Sequence, residues 1–169
     1  MLIFQKRLLD QGWALLPLRL LIGFGFAAHG LAKLSRGPEH FATVLAAMGI
    51  PAPSLAAWVT TLLELLGGLS VMAGALVVPL SVPLAVVMLT AMFAVHLPNG
   101  FSSIKLRSIT ATGAEFGAPG YELNLLYLAG LFTLCLGGSG AASVDGLLST
   151  RRAKRAPSSA AVESSTVVP

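Results

Sequence analysis

Charge is what this sequence lacks most. Only 11% of its 169 residues are Asp, Glu, Lys or Arg, where a soluble domain carries roughly a quarter, so a water-facing globule could not be coated. Cysteine is nearly missing too. Cys135 stands alone, without a CxxC or a partner, which excludes a disulfide scaffold. No Walker loop, no GxGxxG opening a helix after a strand and no Ser-His-Asp order is present, so a nucleotide is not expected as a cofactor. What remains is apolar: 55% of residues, with a mean hydropathy of +0.82. That excludes disorder of the whole chain, and the glycines and prolines follow no collagen-like period. The net charge of +4 resides mainly at the C-terminal end and gives no reason to expect a nucleic-acid partner.

The apolar residues gather into four blocks, each near the roughly 20 residues a spanning helix needs. They run from Gly12 to about Leu34, Ser54 to Leu76, Pro79 to Leu97 and Tyr121 to Gly138. None alternates as a barrel strand does, and helices satisfy their own backbone in lipid. The expected fold is therefore all-α, an integral membrane four-helix bundle spanning residues 12–150. Block one follows Lys6 and Arg7 but is too long for a signal peptide, holds Arg19, and precedes no small-x-small site.

Lys6, Arg7, Arg151, Arg152, Lys154 and Arg155 flank the spans on one side, against Lys33, Arg36, Lys105 and Arg107 on the other. This bias places both termini in the cytoplasm, with the chain multi-pass in a bacterial inner membrane. Residues 1–11 read as a cytoplasmic segment and 151–169 as a disordered basic tail. Blocks two and three, joined only around Val77–Pro79, must form an antiparallel hairpin. Between blocks one and two, Pro38 to Met48 reads as a short interfacial helix, with Phe41, Val44, Leu45 and Met48 on one face and Gly49-Ile50-Pro51 as its stop. The long Pro98–Gly120 connection is expected to fold down as a lid through Phe101 and Phe116.

Five ionisable residues fall in or at the edge of the spans: Arg19, His29, Glu64, His96 and Glu122. Each charge at a helix centre costs about 2.5–3.5 kcal/mol on insertion scales. The 1.5 Å rise puts Arg19 roughly 10 Å above the cytoplasmic end of its helix and Glu64 about 15 Å below the outer end of the next. Their matched depth makes a structural Arg19–Glu64 ion pair the expectation, with a proton or substrate site as the alternative. His29, His96 and Glu122 reach the outer end from three helices, a level at which a shared pocket could bind a ligand or pass protons. Separate interfacial residues that snorkel to the headgroups are the plainer alternative. No spacing supports a haem between the histidines, and a zinc ion would lack ligands, so neither haem nor metal is expected. Gly23, Gly30, Gly67, Gly68 and Gly74 read as close helix contacts, Cys135 as a small lipid- or core-facing residue, and Trp13, Trp58, Tyr121 and Tyr127 as candidate interface anchors.

Several of these pieces, in order, carry a resemblance. Arg19-Leu-Leu-Ile-Gly, Ala28-His29-Gly30-Leu-Ala-Lys33, Gly49-Ile50-Pro51, Glu64-Leu-Leu-Gly67-Gly68, His96 with Pro98-Asn99-Gly100-Phe101, Gly120-Tyr121-Glu122, Gly138-Ser-Gly140 and Ser143-Val-Asp145 resemble the DoxX family of small bacterial four-helix membrane proteins. The likeness spans roughly residues 12 to 148. It implies that Arg19, His29, Glu64, His96 and Glu122 hold the family's recurring polar positions. Founding members are membrane subunits of a thiosulfate:quinone oxidoreductase, and others stand beside redox or stress-response proteins. The resemblance thus implies a subunit that binds a quinone, or a similar small apolar molecule, and takes electrons from a partner oxidoreductase. The lone Cys135 departs from any dithiol sulfur transfer. Two other classes stay open: a non-catalytic membrane anchor or assembly factor, and a small-metabolite or proton transporter, which would need a homo-oligomer.

Overall fold

The computed structural model describes residues 12–155. The expected cytoplasmic segment 1–11 and most of the expected tail lie outside the described residues. In chain order the elements are α1 (Leu15–Arg36), α2 (Pro38–Ala47), α3 (Pro53–Ala73), α4 (Val77–Ala91), a hairpin of β1 (Leu106–Thr110) and β2 (Gly113–Phe116), α5 (Glu122–Gly137) and α6 (Val144–Arg155). Helical geometry continues past α4 through a π-turn at Met92–His96 and a 3-10 turn at Leu97–Asn99. Three stretches are long and apolar enough to cross a membrane: Leu15–Arg36, Pro53–Ala73 and Val77–Asn99. The fourth apolar helix, α5, has 16 residues, about 24 Å at 1.5 Å per residue.

Helix α1 packs along α3, α4 along α5, and α5 also touches α1. The α1 residues turned inward are Arg19, Ile22, Gly23, Phe26, Ala27 and Gly30, a spacing of three and four that defines one helical face. On α3 the matching stripe is Ala57, Thr61, Glu64, Gly67, Gly68 and Val71. Glycine sets how near these two helices come. A Cβ on Gly68 would stand 2.5 Å from the Ala27 nitrogen, one on Gly23 would stand 2.7 Å from the Gly68 carbonyl, and one on Gly30 would strike the Leu65 backbone. Gly67 is different: a Cβ there meets only side-chain methyls, the nearest being Leu84 Cδ2 at 3.5 Å.

The adjacent pair gives a direct test. Gly68→Ala should destabilise the protein by about 1–3 kcal/mol, as overpacking does. Gly67→Ala should be neutral or stabilising, because alanine is the better helix former by about 1 kcal/mol. Thermal unfolding of the two variants in one detergent reads the difference; equal effects would mean that the α1–α3 contact is not backbone-limited.

The distribution of polarity is inverted relative to a soluble protein. Arg19, Thr61, Glu64, Ser81, Asn124 and Ser143 are buried, whereas Leu21, Phe24, Leu31, Leu55, Leu66, Val82, Phe132 and Leu136 are exposed. A contiguous apolar exterior on long helices is what a bilayer covers. The main core joins Ile22, Phe26, Val71, Val77, Leu84, Leu131 and Leu134. A smaller cluster of Ala42, Leu45 and Ala57 seats α2 on α3.

Several expectations need correcting. Of the apolar face read for α2, Leu45 is buried together with Pro38 and Ala42, while Val44 and Met48 stay exposed. Small Ala42 can approach Ala57 closely, which larger side chains would prevent. The Pro98–Gly120 connection is no folded lid. It holds a two-stranded hairpin whose strand residues are all exposed, including Phe116 at 62%, because among the described residues each strand has only the other as its sheet partner. Phe101 does anchor, edge-to-face on Tyr121 at 5.6 Å. Tyr127 packs half-buried against the core: its ring meets Phe26 edge-on at 5.3 Å and fills the space left by Gly25. Finally, helix α6 runs to Arg155, so the boundary expected at residue 150 falls inside a helix. Ser143 caps it by accepting from the Gly146 N–H, and Arg151 and Arg152 in its C-terminal half complement the helix dipole.

Candidate functional site

The expected Arg19–Glu64 pair does not form. Arg19 lies at one end of the molecule, where a Cβ on Gly74 would come within 2.7 Å of its guanidinium. Glu64 is ten residues further up α3, about 15 Å away along the axis. Depth counted from assumed helix ends placed the two together, but the glycine contacts fix a different register.

Glu64 instead accepts a hydrogen bond from Lys33 at 2.6 Å, an ion pair joining the top of α1 to the middle of α3. The Glu64 side chain is 7% exposed and that of Lys33 22%. The ammonium also sits 4.5 Å from the centre of the Phe41 ring on α2, a distance at which the ring quadrupole attracts a cation. Helix α2 is tied over this place by Glu39, which accepts from the Trp58 indole at 3.0 Å and from the Ser54 hydroxyl at 3.3 Å, both on α3. Nearly one turn before Glu64 on the same inward face, the fully buried Thr61 hydroxyl has no hydrogen-bond partner among the described residues. Threonine in a helix ordinarily bonds the carbonyl a turn back, so an unpartnered hydroxyl here is a polar atom in want of a partner. An ammonium donor, a carboxylate acceptor and a hydroxyl without a described partner therefore lie within about one turn of each other at the inward face of α3.

Arg19 builds the second polar centre. Fully buried on α1, it donates from Nη1 to the Ser139 and Ala141 carbonyls, the latter at 3.2 Å, and from Nη2 to the Ala142 carbonyl at 2.9 Å. Its Nε has no partner among the described residues. Asp145, close enough for its charge to act on Arg19, accepts from the Leu76 and Val77 backbone N–H groups at 3.0 and 3.4 Å. The guanidinium thus clips the α5–α6 turn to the start of α1, and Asp145 caps α4. A planar fork of five donors suits several carbonyls at once.

No hydrogen bond or ion pair joins His29, His96 and Glu122 among the described residues. His29 is exposed on α1, outside its buried stripe, and has no hydrogen bond among the described residues. His96 shares a hydrogen bond between Nδ1 and the Pro119 carbonyl at 3.1 Å, and the Asn99 amide donates to the same carbonyl at 3.2 Å. Glu122 accepts from the Ser103 N–H at 3.0 Å. Both residues pin the two ends of the hairpin loop. Lys33, Thr61, Asn124 and Asp145 carry no signal in the sequence strong enough to mark them as site residues. Asn124 is buried on α5 with its amide against Met88, and a lone polar residue in an apolar run is its only trace.

Among the described residues no three His, Cys, Asp or Glu side chains gather where they could hold a metal ion. Cys135 lines an apolar groove of about 480 Å³ between α4 and α5, with Val82, Val86, Leu128 and Phe132.

Set against known families, the chain matches the DoxX family model over residues 14–97, from α1 to just past the π-turn. The hairpin, α5 and α6 lie beyond that match. No curated protein and no solved structure matches the chain.

Proposed function

We propose that this chain, which belongs to the DoxX family through residues 14–97, is a four-span inner-membrane protein binding a small apolar molecule with a hydrogen-bonding head, a quinone being the class. Helix α5 supplies the fourth span, the helix α2 lies at the outer interface, and both termini face the cytoplasm.

The observation that carries this reading is the unpartnered Thr61 hydroxyl beside the Lys33–Glu64 pair. A quinone oxygen accepts hydrogen bonds, and Lys33 has donors beyond the one given to Glu64. Thr61 can donate a further one. Glu64 holds the Lys33 ammonium in place, and the Phe41 ring covers it from the α2 side. The donor set fits the group. A bound quinone would supply redox chemistry, with electrons brought by a partner oxidoreductase; this chain's own residues bind, orient and exclude water.

Extraction of the purified protein should yield bound quinone, and added quinone should raise its thermal stability. Thr61→Val should weaken quinone binding about tenfold, the worth of one lost hydrogen bond in a buried site, and leave the fold intact. A protein that carries no quinone and does not respond to it would defeat the proposal.

One observation favours a second reading, a non-catalytic anchor or assembly factor. Arg19, Lys33, Glu64, His96 and Glu122 all join one segment of this chain to another. Under that reading Thr61→Val has no effect in any assay of activity.

A further inference from the structure

Helix α6 leaves the bundle with an exposed apolar face that no other described residue covers. Val144 is 39% exposed, Leu147 64% and Leu148 50%. These positions stand three and four apart, so they share one side of the helix. Arg151 and Arg152, both exposed, follow Leu147 and Leu148 by four residues and extend the same side. At 3.6 residues per turn all five fall within an arc of roughly 140°. The sequence continues with two more cations, Lys154 and Arg155. The helix has one acid, Asp145, and that side chain is engaged in capping α4. Three aliphatic side chains followed by a run of cations, with no free acid, is the composition of a helix lying on an anionic membrane surface.

The attachment of α6 makes that position accessible. The three residues before it carry the carbonyls held by Arg19 and the cap of Ser143. Asp145 ties its first turn to the start of the membrane-length Val77–Asn99 stretch. The root of α6 is therefore fixed at the end of the spans, within reach of the headgroups.

We propose that α6 is a surface anchor for anionic phospholipids: Val144, Leu147 and Leu148 enter the acyl boundary while Arg151 and Arg152 engage lipid phosphates. This surface is separate from the Lys33–Glu64 site and stands whether or not that site takes a quinone. The cations complement phosphate, whereas the aliphatic residues beside them have no use in a purely electrostatic contact with a soluble acidic partner.

The test uses the full chain in nanodiscs, in a Cys135→Ser background, with a nitroxide label on Leu148→Cys or on Thr150→Cys, which lies across the helix. Collision rates are measured with oxygen and with a water-soluble nickel chelate, in phosphatidylcholine discs with and without phosphatidylglycerol. In anionic discs the label at 148 should favour oxygen and be shielded from nickel, while that at 150 stays nickel-accessible. Neutral discs should lose the contrast, and each arginine replaced by serine should lower the docked-to-undocked ratio about fivefold. Equal nickel access at 148 and 150 in anionic discs, or the same shielding in neutral discs, would overturn the proposal. So would shielding that needs an added acidic protein or RNA.

Discussion

Arg19→Ala should be one of the two most destabilising single substitutions in this protein, costing about 3 kcal/mol or more. The guanidinium is fully buried and donates to three carbonyls of the α5–α6 turn. Each hydrogen bond from a charged donor is worth about 1.5–3 kcal/mol, and buried carbonyls left unpaired add their own penalty. The loss should be local at first. With the clip gone, the turn at residues 138–143 and the root of α6 open, and amide exchange there should rise before that of α1 or α3. Arg19→Lys should recover only part of the stability, because one ammonium cannot reproduce the fork. A fold equally stable with lysine would show that charge alone matters there.

The second large effect is an asymmetry within the Lys33–Glu64 pair. Removing one partner of a buried pair costs about 3–5 kcal/mol, since it strands a charge. The two partners are not equally buried. Lys33→Met strands Glu64, which is 7% exposed and has no other hydrogen-bond partner among the described residues, so it should approach that cost. Glu64→Leu leaves Lys33, 22% exposed at the last turn of α1, free to swing its ammonium outward; the cost should be markedly smaller. The double variant should lie closer to the wild type than Lys33→Met does, because apolar replacements of a buried pair are often nearly neutral. Denaturant or thermal unfolding of the three variants decides it. Equal single costs with full additivity would mean that the pair contributes no coupling.

Either substitution also bears on binding. Lys33→Met in the double background leaves a folded protein without the ammonium donor, so quinone affinity can be measured free of the folding defect.

How much of this is legible in the sequence depends on the range of the interaction. Spans show in composition, since apolar runs near 20 residues have few other uses. The helix at residues 38–47 shows in its proline start and in the Gly49-Ile50-Pro51 stop. Burial of Arg19 and Glu64 follows from the cost of leaving either charge in lipid. Partners do not follow. Lys33 counts in the sequence only as a flanking cation, and whether it reaches Glu64 depends on the offset of α1 against α3.

The sequence by itself therefore determined the class of solvent around this protein, the number of apolar helices and which charges must be hidden. Those are local or additive properties: transfer free energies summed over a run of residues. The tertiary structure alone decided that Glu64 meets Lys33 and that Arg19 clips the 139–142 carbonyls. It also left His29 exposed, while His96 and Glu122 bond to the 98–120 connection. Backbone contact at Gly23, Gly30 and Gly68 sets the register of α1 on α3, and a few residues of slip along a helix move a side chain by several ångströms, past the reach of any hydrogen bond.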